Sequence, residues 1–239
     1  MRPALLLLLF ALPAFADTAT IPATRDITLY ESATGGVSNG AGPTMFAGRT
    51  AASSNSRRRA LVRFDVAGAV PTGATITAAT LTLNLSQAGS PGAQPVELHR
   101  VLADWGEGAS NGGAAGGTGA ASTPDDATWI HRFFPGILWA TAGGDFAAAA
   151  SGTQSVALEG PYSWSGAGLV ADVQAWLDAP ATNFGWLLLG NEAASQSVKR
   201  FDTREAVVDS VRPQLVVEFT PPGTPAVPVS WGRIRAAYR

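Results

Sequence analysis

Arg57, Arg58 and Arg59 stand side by side where the small polar stretch 51–56 gives way to an alternating apolar run. A guanidinium offers a planar fork of donors that matches a carboxylate with two parallel hydrogen bonds. Joined by Arg49, such a cluster could grip an acidic polysaccharide. The same charges would also shield the edge of a sheet from another strand. Asp104, Glu107, Asp125 and Asp126 flank the Gly-rich stretch 106–122. They could hold Ca²⁺ together with loop carbonyls, serve as the carboxylate pair of a glycosidase, or stay solvated. Asp26, Glu31 and Asp65 form a second acidic set with the same potential for calcium. Trp105, Trp139 and Trp164 sit in or beside Gly-rich segments. Exposed, each is a flat platform for a sugar ring; folded back, each plugs the core. The candidate ligand-binding set is therefore Arg49, Arg57, Arg58, Arg59, Trp105 and Trp164. Asp202 and Arg204 are spaced to form a bidentate pair or an ordinary structural salt bridge.

Much chemistry is excluded. The chain has no cysteine, so thiol nucleophiles, disulfides and zinc–thiolate sites are ruled out. His99 and His131 are the only histidines. His131 lies in the strand-like run 128–134, where a hydrogen-bonded strand residue is the simpler role than a general base. No Gly-x-Ser-x-Gly elbow occurs in a suitable context and no nucleophile–base–acid set emerges, so a non-enzyme is expected. The net charge of −2 does not suit a general nucleic-acid binder.

The elements that must position these residues read as short strands. Leu81, Leu83 and Leu85 alternate with Thr80, Thr82 and Asn84, and Val62, Phe64 and Val66 alternate with Arg63 and Asp65. Leu215, Val217 and Phe219 repeat the pattern. The run 184–189 is apolar on both faces, as a central strand would be. Further strands are expected at 26–30, 44–47, 96–102, 128–134, 154–159 and 198–202, punctuated by 27 Gly and 16 Pro. Within 167–179, Leu169, Val170, Val173, Trp176 and Leu177 share one helical face, and Pro180 ends it. The stretch 106–122 reads as a flexible insertion. The fold class is all-β, a jelly-roll-type β-sandwich with one short capping helix.

The first residues, a positive start, nine apolar residues and an Ala-Phe-Ala step, read as a signal peptide over 1–16. The apolar run is too short to span a bilayer. Export is expected, to the medium, the cell surface or the periplasm, with a domain over 17–220. Residues 221–239 are a Pro-rich linker and a basic, aromatic tail that could dock to a partner.

Several stretches together resemble the secreted bacterial DNRLRE domains, relatives of the family 96 carbohydrate-binding modules. They are 26–30, 58–66, 71–83, 172–177, 183–188, 201–205 and 212–217. The resemblance implies a jelly-roll sandwich that binds alginate-type polysaccharides through basic side chains. The expected function is non-catalytic binding of an acidic polysaccharide at the cell surface or in extracellular matrix. The alternatives are a structural module for protein partners and a polysaccharide-degrading enzyme. No cofactor is required by these residues; a structural calcium, with Asp104, Glu107, Asp125 and Asp126 as candidate ligands, is the one candidate.

Overall fold

The computed structural model describes residues 16–89 and 92–223. The leader expected over 1–16 falls almost entirely outside them, as does the tail from 224 onward. Strands account for 42% and helices for 11% of the structure, which bears out the all-β class.

The described residues form fourteen strands: β1 (Asp17–Tyr30), β2 (Val37–Ser38), β3 (Thr44–Arg49), β4 (Arg57–Phe64), β5 (Thr75–Gln87), β6 (Gln94–Arg100), β7 (Ala120–Ala121), β8 (His131–Phe133), β9 (Ile137–Leu138), β10 (Gly152–Val156), β11 (Gly160–Ser165), β12 (Trp186–Gly190), β13 (Lys199–Asp202) and β14 (Gln214–Thr220). The helices are α1 (Val66–Ala69) and α2 (Ala167–Asp178).

All ladders in the main sheet are antiparallel. The order β1-β14-β5-β13-β3-β4 returns to β1, because β1 pairs with β14 through its first half and with β4 through its second. The strand changes partner after Pro22, and a register shift follows between Ala23 and Arg25 within the ladder to β4. β3 turns the same corner, pairing with β13 up to Ala47 and with β4 from Gly48. Six strands thus close a ring, and closure removes the open edges a flat sheet would leave. β12, β6 and β10 extend from β4, and β11 adds to β5.

Side-chain alternation sends the strands into two cores. Val62, Phe64, Leu81, Leu83, Leu85, Trp186, Leu188, Leu215 and Val217 fill the main one. Ile27, Leu29, Leu61 and Leu187 point the opposite way, into a second core with Trp105, Trp129 and Trp139. This is why the run around Trp186 is apolar at every position: each face of β12 has its own core. α2 buries Leu169, Val173, Trp176 and Leu177 in the main core. Its Gln174 side chain accepts from the backbone N–H of Ile76 at 2.8 Å and donates to the Ala74 carbonyl, so the helix also satisfies one end of β5. Asp172 of the same helix is buried and accepts from Trp186 Nε1 at 2.8 Å.

Candidate functional site

Alternation along β4 divides the arginine cluster. Arg57 and Arg59 project to one side, with guanidinium carbons 5.3 and 4.8 Å from the Trp129 ring centre. Arg58 projects to the other, 4.7 Å from the Tyr30 ring. Arg57 donates through Nε and Nη2 to Glu31 Oε1 at 2.9 and 2.6 Å, and its backbone N–H donates to Glu31 Oε2 at 2.9 Å. Those bonds hold the Glu31 carboxyl below the usual carboxylate range. Arg59 grips Glu192 with both prongs, Nε to Oε1 at 2.7 Å and Nη2 to Oε2 at 3.0 Å. Arg58 donates to the carbonyls of Asn55 and Arg57. Three of the four arginines are therefore committed within the fold. Arg49 is different: its Nε donates to Ser56 Oγ at 3.1 Å, and it has no carboxylate partner among the described residues.

Arg49 and Arg57 line a polar cavity of about 500 Å³ with Glu31, Glu192 and residues 53–56, a wall of serine hydroxyls and one asparagine amide. Two arginines face two glutamates, so the lining is formally neutral. It offers donors and acceptors in close alternation, with Arg49 as its unpaired cation.

The tryptophans do not join this cavity. Trp105 and Trp164 are 0% and 1% exposed, and their indole N–H groups donate to the carbonyls of Phe184 and Val96 at 2.8 and 2.9 Å. Both are core plugs, and neither can stack on a ligand. Trp139 is buried as well and donates to the Thr128 carbonyl.

The two acidic sets are redistributed. Asp104 lies near Arg25 and Arg63, at 3.6 and 3.4 Å. Asp125 is exposed. Asp126 is buried, and its Oδ2 accepts from the Thr123 backbone N–H and hydroxyl. Glu31 serves Arg57, and Asp65 caps α1 by accepting from the Gly68 N–H at 3.0 Å. One member of each set, Asp26 and Glu107, meets Glu205, and an oxygen from each of the three lies within 4.8 Å of the others. The anticipated Asp202–Arg204 pair is not formed. Asp202 accepts from Asn84 Nδ2 at 2.7 Å, while Arg204 binds Glu107 through Nε and Nη2 at 3.1 and 2.6 Å and Glu205 at 2.8 Å.

Local structure brings this trio together. Asp26 is on β1 opposite Val62 of β4. Gly106 sets the approach of Glu107: a Cβ there would stand 2.0 Å from the Asp125 carbonyl oxygen, so only glycine lets the two segments run so close. The segment is pinned by Gly106 N–H to the Arg132 carbonyl and by Arg25 Nη1 to the Trp105 carbonyl. The turn carrying Arg204 and Glu205 is fixed by the Thr203 hydroxyl on the Gly42 carbonyl and by Ala206 N–H on the Thr203 carbonyl.

Asp26 is fully buried; burial first, and then the charge of Glu205, raises its carboxyl well above the ordinary range. Burial raises Glu205 too. Sequence reading found Asp26 and Glu107 separately and missed Glu205. Asp26 and Glu205 fall in stretches that looked structured, whereas Glu107 falls in the stretch read as a flexible insertion, so no pattern joined the three. His131 is buried and meets Thr128 Oγ1 at 3.0 Å through Nδ1, as a hydrogen-bonded strand residue would.

No family model matches the chain, and no curated protein matches it.

Proposed function

We propose that this chain is a secreted, non-catalytic module of jelly-roll type, related to the DNRLRE domains, that binds a polysaccharide through the cavity at Arg49. One observation carries the reading: a cation without a carboxylate partner lines a cavity whose other walls are hydroxyls, an amide, the Arg57–Glu31 pair and Glu192. Sugars are recognised by such alternating donors and acceptors, and 500 Å³ holds a segment of one or two rings. Arg49 is placed to take the carboxylate of an acidic sugar, while Arg57 and Arg59 hold Glu31 and Glu192 as walls. The acid trio supports a non-catalytic role, because Asp26 is fully buried and a sugar ring cannot enter between its carboxylate and those of its neighbours.

A structural module for protein partners is the second reading. It is favoured by an apolar groove of about 750 Å³ between α2 and the start of β5, lined by Ile76, Ala78, Ala79, Val170 and Ala171 among others. Affinity electrophoresis of the full chain through gels containing acidic or neutral polysaccharides separates the two. Retardation by one acidic class supports polysaccharide binding. Unchanged mobility throughout overturns it and favours the groove.

A further inference from the structure

The carboxylates of Asp26, Glu107 and Glu205 are more than one arginine can satisfy. Among the described residues Arg204 is the one cation bonded to them, and its side-chain donors go to Glu107 and Glu205. Asp26 receives the Arg204 backbone N–H on Oδ2 at 2.8 Å. Its other oxygen, Oδ1, is buried with no hydrogen-bond partner, and so is Glu205 Oε2. Asp26 is 0% exposed, so bulk solvent does not reach it. Buried carboxylate oxygens with neither donor nor solvent are rare, because an unpaired charge in low dielectric is strongly disfavoured. Three formal negative charges against one positive leave a local excess that a divalent cation would cancel.

We propose that Asp26, Glu107 and Glu205 are ligands of a Ca²⁺ ion that ties three distant parts of the chain together. The donor set is all oxygen, which selects a hard cation and disfavours zinc or copper. Ca²⁺ accepts irregular sets of carboxylate and carbonyl oxygens, whereas Mg²⁺ demands a near-ideal octahedron and gives up its waters reluctantly, which suits it less to a buried all-protein site. One oxygen from each of the three lies within 4.8 Å of the others, close enough for a single ion to meet all three. The bond from Asp26 N–H to Glu107 Oε1, at 2.7 Å, already holds Glu107 against β1. The ion would therefore cross-link β1, the segment after Trp105 and the turn before β14. In a chain without cysteine, such a link does the work of a disulfide by closing long loops. The proposal is independent of what the Arg49 cavity binds.

The test is calorimetric titration of the EDTA-treated full chain with CaCl₂ and, separately, MgCl₂, with melting curves recorded for each state. One Ca²⁺ should bind per chain and raise the melting temperature by several degrees, with EDTA reversing the shift. Glu205→Gln, which keeps shape and removes charge, should weaken Ca²⁺ at least tenfold while the chain still melts cooperatively. No heat and no shift with millimolar Ca²⁺ in the unmodified chain would overturn the proposal, whatever the variant does. An equal response to Mg²⁺ would overturn the calcium assignment. Unchanged Ca²⁺ affinity in Glu205→Gln would overturn the ligand set.

Discussion

The main-chain N–H of Asp26 donates to the side chain of Glu107 at 2.7 Å, across 81 positions of sequence. A strand residue thereby aims a loop carboxylate at its own buried side chain, and Arg204 closes the group from a third direction. The loop after Trp105 is therefore part of the packed structure rather than an appendage to it.

Arg59 and Arg57 should differ in their weight for stability. The Arg59 side chain is 12% exposed and holds Glu192 with two bonds, whereas that of Arg57 is 43% exposed. Breaking a largely buried pair costs about 3–5 kcal/mol, while exposed pairs contribute about 0–1 kcal/mol. Arg59→Ala should therefore lower stability in urea by several kcal/mol, and Arg57→Ala by far less. Equal losses would contradict the assignment.

Lys199 is the chain's one lysine and is fully buried, with Nζ donating to the carbonyls of Ala88 and Gly92 at 2.5 and 2.6 Å. Burial lowers the amine's proton affinity, which alone would raise its reactivity. Lack of access decides the outcome. An amine-acylating reagent should leave Lys199 unmodified in the folded protein and modify it fully in denaturant, as read by peptide mass spectrometry.

Burial lowers the proton affinity of His131 below the ordinary value of 6.5. Below that pH the unfolded chain takes up a proton that the folded chain resists. The stability associated with neutral His131 is thus complete above pH 6.5 and declines as pH falls toward the folded value. Between pH 7.5 and 5.5 the parent protein should lose stability more steeply than His131→Gln. Parallel curves would show that the imidazole does not titrate differently on folding.

Gly185 has φ of +76°, and a Cβ there would stand 2.0 Å from the Val62 carbonyl oxygen. The obstruction is backbone in the middle of β4, which cannot swing aside. Gly185→Ala should destabilise the protein by about 3 kcal/mol or more, combining overpacking with a strained φ. A loss under 1 kcal/mol would mean that β12 can shift away from β4.

Local signals in the sequence reported the elements well. Alternation located β4, β5 and β14, the doubly apolar run identified β12 as a strand between two cores, and the spacing from Leu169 to Leu177 marked α2. Elements formed by partners rather than by pattern were harder to see. The first half of β1 has one large apolar residue, Ile21, followed by Pro22, and is a strand because β14 pairs with it. Of the run 128–134 only His131–Phe133 is strand, since the chain turns there and pairs with β9.

The stretch after Gly106 looked free because its anchors lie far back in the chain. Asn39 accepts from the Gly112 N–H, Tyr30 donates to the Gly116 carbonyl, and Gly40 N–H donates to Ser110. The candidate sites were legible only as residue types. Which carboxylates meet, and that Arg59 finds one while Arg49 does not, depends on partners such as Glu192, 133 positions from Arg59.

The central claim, that Arg49 binds an acidic sugar in the cavity beside β4, is tested most directly by one comparison. Binding of the full chain and of Arg49→Gln to the best-retained acidic polysaccharide should be measured by titration calorimetry, with melting temperature as the control. The account predicts at least a tenfold loss of affinity in the variant, about 1.4 kcal/mol, with the melting temperature unchanged. Equal affinity in the two proteins would contradict it and move the binding surface away from Arg49.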